Sequence, residues 1–235
     1  SIGLSQFANA MRRGVRVAYI VENNGVYGLT KGQFSATADQ GSKSKKGIVN
    51  TDSPVDLVAL ALQLGATYVG RSFSGNKEQL VPLIKGAISH GGAAFIDVIS
   101  PCVSFNNHPG STKSYDYVRE HNEAVSRIDF IGSHDEIRVD MAPGEVMDVR
   151  QHDGSLLRLR SLHQDYNPGD RYAAMAYVQR HQEMGEIVTG LLYVDPLATD
   201  LHTALNTVKK PLNKLGPADL CPGAKALEQI NATLR

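Results

Sequence analysis

Cysteine is nearly absent from the 235 residues, with only Cys102 and Cys221 present. Two thiols exclude a disulfide framework and leave too few thiolates for a zinc site built from cysteine pairs. So sparse a set fits a reducing, cytoplasmic compartment. An excess of either charge is missing too: Lys and Arg total 24 against 24 Asp and Glu, and the one basic cluster is Lys43, Lys45 and Lys46. Neither a nucleic-acid partner nor a polybasic membrane contact is expected from that balance. Long apolar runs are also lacking. The longest, 57–62 and 187–194, fall far short of the ~20 residues of a membrane-spanning helix. The opening residues SIGLSQFANAMRRG contain no charged leader with an apolar stretch behind it and no initiator methionine, so the chain is expected to begin inside a longer protein. Hydrophobic residues at 42% and charged residues at 20% describe an ordinary soluble globular chain and exclude disorder as its main state.

Periodicity then places the elements. Residues 5–13 set Phe7, Ala8 and Met11 on one helical stripe and end in Arg12, Arg13 and Gly14, which favour a helix C-terminus. The run 15–21 (VRVAYIV) is short, β-branched and apolar, as in a strand buried on both faces. Residues 22–50 are polar and glycine-rich with too few periodic apolar positions to form an element. Ser53-Pro54 opens a helix whose first turn is completed by Val55, Asp56 and Leu57 and which stops at Gly65. A strand over 67–71 follows, then a helix capped by Asn76 and running to Ile88, which Pro82 is expected to kink or delay. Residues 93–99 (AAFIDVI) make a third strand. This alternation predicts an α/β fold with a parallel sheet flanked by helices. Beyond Cys102 a helix is expected over 115–125 and β-like alternation over 136–149 and 155–162. A helix over 171–184, a strand over 187–194, and a proline-bearing extended tail closed by a helix at 224–234 complete the chain.

Parallel sheets bind ligands beyond the carboxyl ends of their strands. The first strand delivers Glu22-Asn23-Asn24-Gly25-Val26-Tyr27-Gly28-Leu29-Thr30-Lys31-Gly32-Gln33 to that edge, and the third delivers Ser100-Pro101-Cys102. Paired asparagines after an apolar strand can supply an amide oxygen to a hard cation, and a glycine-rich turn lets backbone approach that cation and its phosphates. Asn-Gly is also among the commonest turn dipeptides, so spacing alone leaves the plain turn open. Ser133-His134-Asp135 looks superficially like a hydrolase triad, but neighbours in sequence do not point at one another and no Gly-x-Ser-x-Gly elbow is present.

The run VENNGVYGLTKGQFSATAD resembles the thiamine-diphosphate segment of the β subunits of 2-oxoacid:ferredoxin oxidoreductases. The resemblance covers residues 1–107. It implies a thiamine-diphosphate-binding fold, incomplete at the N-terminus, because the Gly-Asp-Gly motif that precedes the asparagine pair in that family would fall before Ser1. Asn24 is thereby implied as a side-chain Mg2+ ligand and Val26 as a backbone-carbonyl ligand. Gly25 and Gly28 would serve the backbone turn at the cofactor, with Leu29 and Lys31 on its cofactor and substrate side. The Gly-Leu-Thr-Lys-Gly-Gln version resembles the 2-oxoglutarate branch, where Lys31 would meet the anionic substrate. Pro101-Cys102 resembles the fourth cysteine of the family's [4Fe-4S] cluster, although the chain holds no CxxC; Cys221 matches nothing in the pattern.

The implied reaction converts a 2-oxoacid, coenzyme A and oxidised ferredoxin to acyl-coenzyme A, CO2 and reduced ferredoxin, with an α subunit covering part of the cofactor. The isolated chain is expected to be inactive. Residues 1–107 are read as the C-terminal part of the cofactor domain and 108–235 as a family-variable region. Two other readings stay open: a non-catalytic α/β assembly module, and a non-redox thiamine-diphosphate decarboxylase of the same fold.

Overall fold

Side chains alternate across a strand, and that alternation decides which helix packs on which face of the sheet. The computed structural model describes residues 2–125, 146–150, 156–160, 166–221 and 223–234. The chain divides into two compact units, residues 1–201 and 202–235.

In the first unit the elements run α1 (Leu4–Arg12), β1 (Val17–Asn23), β2 (Val26–Tyr27), β3 (Gln33–Phe34), α2 (Leu57–Gln63), β4 (Tyr68–Phe73), α3 (Lys77–Ser89) and β5 (Ala93–Ile99). They continue as α4 (Tyr115–His121), β6 (Asn122–Ala124), β7 (Val146–Arg150), β8 (Leu156–Arg160), α5 (Arg171–Glu183) and β9 (Ile187–Val194). The main sheet has the order β1-β5-β4-β9-β6. β1, β5 and β4 are parallel, β9 runs antiparallel to β4, and β6 runs parallel to β9. Thus the sheet is mostly parallel rather than wholly so.

Odd-numbered residues of β1, β4 and β5 form one face. Val17, Tyr19, Val21, Val69, Ala93 and Phe95 lie in a core with residues of α1, α2 and α5. The even-numbered Ala94, Ile96 and Val98 meet Leu83 and Ala87 of α3 on the opposite face. Each face is covered because both residue sets are apolar, and that double burial explains why AAFIDVI is apolar at every position but Asp97.

Several expectations shift. β1 begins at Val17, and as an edge strand it leaves Ile20 41% exposed, so it is not buried on both faces. α2 begins at Leu57, with the Asp56 side chain accepting from the Ala59 N–H as its cap; Ser53-Pro54 lies before it, outside any helix or strand. Pro82 sits inside α3, neither delaying nor ending it, and Asn76 caps that helix as expected. β4 is displaced one residue and extended to Phe73. The helix expected over 115–125 stops at His121, where 122–124 join the sheet beside β9. Within 22–50 a small hairpin pairs β2 with β3. Of the alternating stretches expected at 136–149 and 155–162, the described parts are β7 and β8, which pair antiparallel; the rest, with Ser133-His134-Asp135, lies outside the described residues.

The second unit contains most of α6 (Leu201–Ala204), a 3-10 turn at Leu212–Lys214, α7 (Pro217–Leu220) and α8 (Gly223–Thr233), with Lys210 paired to Asp219 at 2.8 Å. Among the described residues no helix is long and apolar enough to cross a membrane.

Candidate functional site

The odd-numbered strand face turns from apolar to polar at its carboxyl end. Val17, Tyr19 and Val21 are followed by Asn23, Ala93 and Phe95 by Asp97, and Val69 by Arg71. The register sets Val21 beside Asp97 and Asp97 beside Arg71. A polar patch therefore forms across three strands where the parallel sheet ends.

Asn23 and Asn24 open the loop beyond β1. The Asn23 amide oxygen accepts from the Thr37 hydroxyl at 2.7 Å, and its carbonyl accepts from the Ser100 N–H at 3.0 Å. Asn24 Oδ1 accepts from the Val26 N–H at 3.0 Å, an Asx turn. Its carbonyl accepts from the Asn106 side-chain amide at 2.8 Å. Asn106 is itself buried, with its backbone N–H on the Cys102 carbonyl at 2.8 Å and its Oδ1 receiving the Ser111 hydroxyl at 2.8 Å. Asn106 thus joins the Asn24 loop to the Cys102 loop, which lie side by side because β1 and β5 are neighbours.

Gly25 has φ +70, and a Cβ there would stand 3.1 Å from Asn106 Nδ2 and 3.2 Å from Lys113 Cγ. Here the glycine is required both by backbone conformation and by space. Gly28 differs, because its φ is not positive and a Cβ would meet nothing within 4 Å, so the turn does not demand glycine there.

A cavity of about 230 Å³ adjoins the asparagines, floored by Phe7, Tyr19, Val21 and Leu57 and rimmed by Asn23, Asn24 and Thr37. Val26, largely buried, also lines it. Leu29 and Lys31 do not. Leu29 is 98% exposed at the tip of the β2–β3 hairpin, and Lys31 lies in an open cleft of about 690 Å³ with Lys45, Lys46, Phe34 and Phe105. The structure gathers Asn24, Gly25, Val26 and the Cys102 loop at one place and sets Leu29 and Lys31 apart. Cys102 is half-buried and Cys221 exposed.

Beside this loop lies a charged centre that the sequence reading did not single out. Arg71 donates from Nε to Asp97 at 2.9 Å and from its terminal nitrogen to both oxygens of Asp56, at 2.9 and 3.0 Å. All three line a small polar cavity with Asp39, Lys113 and Glu186. Burial pushes the Asp56 carboxyl up, but the Arg71 guanidinium and the N–H groups of Ala59 and Val58 outweigh it and hold Asp56 below the ordinary carboxylate range. Burial also opposes the charge on Arg71, yet its two carboxylates raise it further above its usual value. Asp97 Oδ1, fully buried, has no hydrogen-bond partner among the described residues. The signal available in the sequence was an arginine and an aspartate inside strands that otherwise read as fully buried, since such charges are rare unless paired.

Residues 1–98 match the family described as thiamine pyrophosphate enzyme, C-terminal TPP binding domain. The matched segment carries α1, α2, α3 and most of the parallel part of the sheet, so that part of the chain is similar to a thiamine-pyrophosphate-binding α/β domain. Relatives of that segment are named 2-oxoacid:ferredoxin oxidoreductase subunit beta, 2-oxoglutarate oxidoreductase subunit KorB and 2-oxoglutarate synthase subunit KorB. The 2-oxoacid:ferredoxin oxidoreductase subunit beta of Saccharolobus solfataricus is 45% identical over 107 residues, 45% of this chain and 35% of that protein. The 2-oxoglutarate oxidoreductase subunit KorB of Mycobacterium tuberculosis is 37% identical over 108 residues, 46% of this chain and 29% of that one. The 2-oxoglutarate synthase subunit KorB of Methanocaldococcus jannaschii is 30% identical over 156 residues, 64% of this chain and 57% of that one. The chain thus matches about a third of the length of the first two and somewhat over half of the third. Among solved structures, a 2-oxoglutarate:ferredoxin oxidoreductase from Magnetococcus marinus with 2-oxoglutarate, coenzyme A and succinyl-CoA bound is similar at a TM-score of 0.66 and 25% identity, over 100% of this chain and 64% of that one.

Proposed function

We propose that the chain forms part of the β subunit of a 2-oxoacid:ferredoxin oxidoreductase, with 2-oxoglutarate as the expected substrate. The overall reaction takes a 2-oxoacid, coenzyme A and oxidised ferredoxin to acyl-coenzyme A, CO2 and reduced ferredoxin. The observation that carries this reading is the cavity beside Asn24, apolar on its floor and amide-lined at its rim, in the segment homologous to such subunits.

The donor set suits a diphosphate-bound Mg2+. An amide oxygen has two lone pairs, and the Val26 N–H occupies one at Asn24 Oδ1, leaving the other for a hard cation. The Val26 carbonyl is the second ligand in this reading, and the remaining ligands come from outside these residues. Thiamine diphosphate, when bound, supplies the carbanion and electron-sink chemistry of oxidative decarboxylation. The chain's own part is to hold and orient it: Asn24 and Val26 at the metal and Gly25 in the backbone conformation that presents them, while Gly28 and Leu29, outside the cavity in this chain, would meet the cofactor only in the assembly with the α subunit. Lys31, in one cleft with Lys45 and Lys46, gathers positive charge where an anionic 2-oxoacid is received.

The iron-sulfur assignment is more restricted. Cys102 and Cys221 belong to different compact units, and two thiols cannot complete a four-cysteine shell. Cys102 is proposed as one ligand of a [4Fe-4S] cluster whose other cysteines lie elsewhere in the assembly. An α subunit, ferredoxin and a cytoplasmic setting complete the proposal.

The test is activity of the protein purified with its α subunit and supplied with Mg2+ and thiamine diphosphate. Coenzyme A-dependent reduction of ferredoxin by 2-oxoglutarate is expected. Release of aldehyde without ferredoxin reduction would favour the non-redox decarboxylase, and no turnover of any 2-oxoacid would favour the assembly module.

A further inference from the structure

Where α5 passes into β9, at the edge of the small polar cavity that Glu186 shares with Arg71 and Asn23, three side chains able to bind a metal converge. Glu123, His181 and Glu186 each offer one ligand atom, and these atoms lie within 4.8 Å of one another. His181 Nδ1 is 3.2 Å from Glu123 Oε2 and also in hydrogen-bond contact with Glu186 Oε2.

Two independent features of the fold bring them together. α5 ends in a Schellman motif: Gly185 adopts φ 77, its N–H returns to the Gln182 carbonyl at 3.0 Å, and the Glu186 N–H returns to the His181 carbonyl at 2.9 Å. This turn sets Glu186 beside the histidine of the last helical turn. Glu123 arrives from a distant part of the chain because β6 pairs with β9, placing Glu123 opposite Val188. The ligands are supported in turn. The Tyr177 ring stacks on His181 at 4.1 Å, and the Tyr177 hydroxyl donates to Glu123 Oε1 at 3.4 Å. A ring held by stacking and a carboxylate held by a hydroxyl are the outer contacts that orient metal ligands.

We propose that Glu123, His181 and Glu186 form a binding site for a borderline divalent transition ion, with Zn2+ as the type. One imidazole nitrogen carries at most one proton, whereas here it faces two carboxylates. A divalent cation in that position meets all three donors at once. A nitrogen with two carboxylate oxygens suits Zn2+ better than the all-oxygen preferences of Mg2+ or Ca2+. Ligands on a tetrahedral Zn2+ stand about 3.3 Å apart at bond lengths of about 2.0–2.1 Å. The His181–Glu123 distance already fits, and Glu186, the most exposed of the three, can rotate outward to admit the ion. Among the described residues the exposed side of Glu186 leaves a fourth position for water and an entry path. Such an ion ties α5, β6 and β9 together and belongs to no part of the proposed thiamine-diphosphate site.

The test titrates the metal-stripped 235-residue chain with Zn2+, and with Co2+ as a spectroscopic probe. One equivalent of Zn2+ is expected to bind and raise the melting temperature. Co2+ should give visible ligand-field bands without thiolate charge transfer, which excludes Cys102 and Cys221 as donors. Glu186→Gln and Glu123→Gln should each weaken Zn2+ binding by more than about tenfold, the scale on which losing even an outer partner of a metal ligand costs affinity. His181→Ala should do the same, but His181 is buried, so the two glutamine variants, with circular dichroism confirming their fold, decide the matter. Absence of saturable binding, thiolate bands with Co2+, or undiminished binding in the double glutamine variant would overturn the site. None of these results depends on turnover of a 2-oxoacid.

Discussion

Asn24 and Lys31 belong to one short motif, yet the structure treats its two halves oppositely. Around Asn24 every backbone turn is answered by a partner: Val26 and Asn106 hold Asn24, Thr37 and Ser100 hold Asn23, and Gly25 fits only because it has no Cβ. Around Lys31 the hairpin closes on itself, with the Lys31 N–H on the Gly28 carbonyl at 3.1 Å and the Gly32 N–H on Tyr27 at 3.0 Å, while Leu29 stands in solvent. The first half is positioned by this chain alone. The second half is a surface whose role, in the proposed enzyme, depends on substrate and α subunit. Changes near Asn24 should therefore register in folding stability as well as in cofactor binding, and changes near Lys31 in catalysis alone.

The largest stability effect is expected at the charged centre that adjoins the anchored half. Arg71→Met leaves Asp56 and Asp97 facing each other's charge in a buried place, which costs about 3–5 kcal/mol. A denaturant midpoint measured at pH 7 checks it, and a shift below about 1 kcal/mol would mean that water already neutralises the pair. The same centre has a pH signature. The folded Asp56 pKa is depressed, so its contribution is present above the unfolded value of about 3.9 and is lost as pH falls through the lower folded value. Wild type should lose stability more steeply than Asp56→Asn below about pH 4. Parallel acid limbs would assign the titration to other carboxylates.

Gly25→Ala comes next, at about 1–3 kcal/mol, from a left-handed backbone and a Cβ pressed against Asn106 and Lys113. Gly28→Ala is the contrasting control, expected to be near neutral in thermal melts because that position is open. Equal losses at both positions would break the distinction between the two halves.

Asn24→Ala removes one neutral hydrogen bond and should cost only about 1 kcal/mol of stability. In the assembled enzyme it should lower thiamine-diphosphate occupancy at limiting Mg2+ by roughly tenfold or more, since a direct ligand is lost. Unchanged occupancy in equilibrium dialysis would make Asn24 a turn residue and no more.

How much of this was legible in the sequence follows from the range of the forces involved. β5 has the bounds expected of it because AAFIDVI is apolar on both faces, and Asn76 is a cap because capping is local. The direction of β9 was not legible, since a buried strand looks alike parallel or antiparallel. Order in the long loop after β1 rests on distant polar contacts: Asn50 donating to the Ala38 and Asp39 carbonyls, and Asp39 receiving Thr112 and Lys113. No periodicity announces such bonds. Asn24 could be named from motif resemblance, while Asn106, which holds it, could not.

Lys31 sharpens the comparison from the other side. Its φ of 68 lies in the left-handed region, where a side chain costs roughly 1–2 kcal/mol relative to glycine, partly repaid by glycine's greater freedom when unfolded. Its exposed position gives the side chain little to stabilise in return. Lys31→Gly should thus leave the melting temperature unchanged or raise it slightly, and Lys31→Met should lower stability by no more than about 0.5 kcal/mol. If Lys31 receives the substrate carboxylate, loss of a charge-assisted hydrogen bond of roughly 1.5–3 kcal/mol lowers kcat/KM about ten- to a hundredfold in both variants. Lys31→Arg should recover part of it by restoring the charge. A left-handed lysine that evolution could replace by glycine without structural loss is informative only through that activity. If both variants turn over 2-oxoglutarate normally, the open cleft is a solvated surface and the substrate carboxylate is held elsewhere in the assembly.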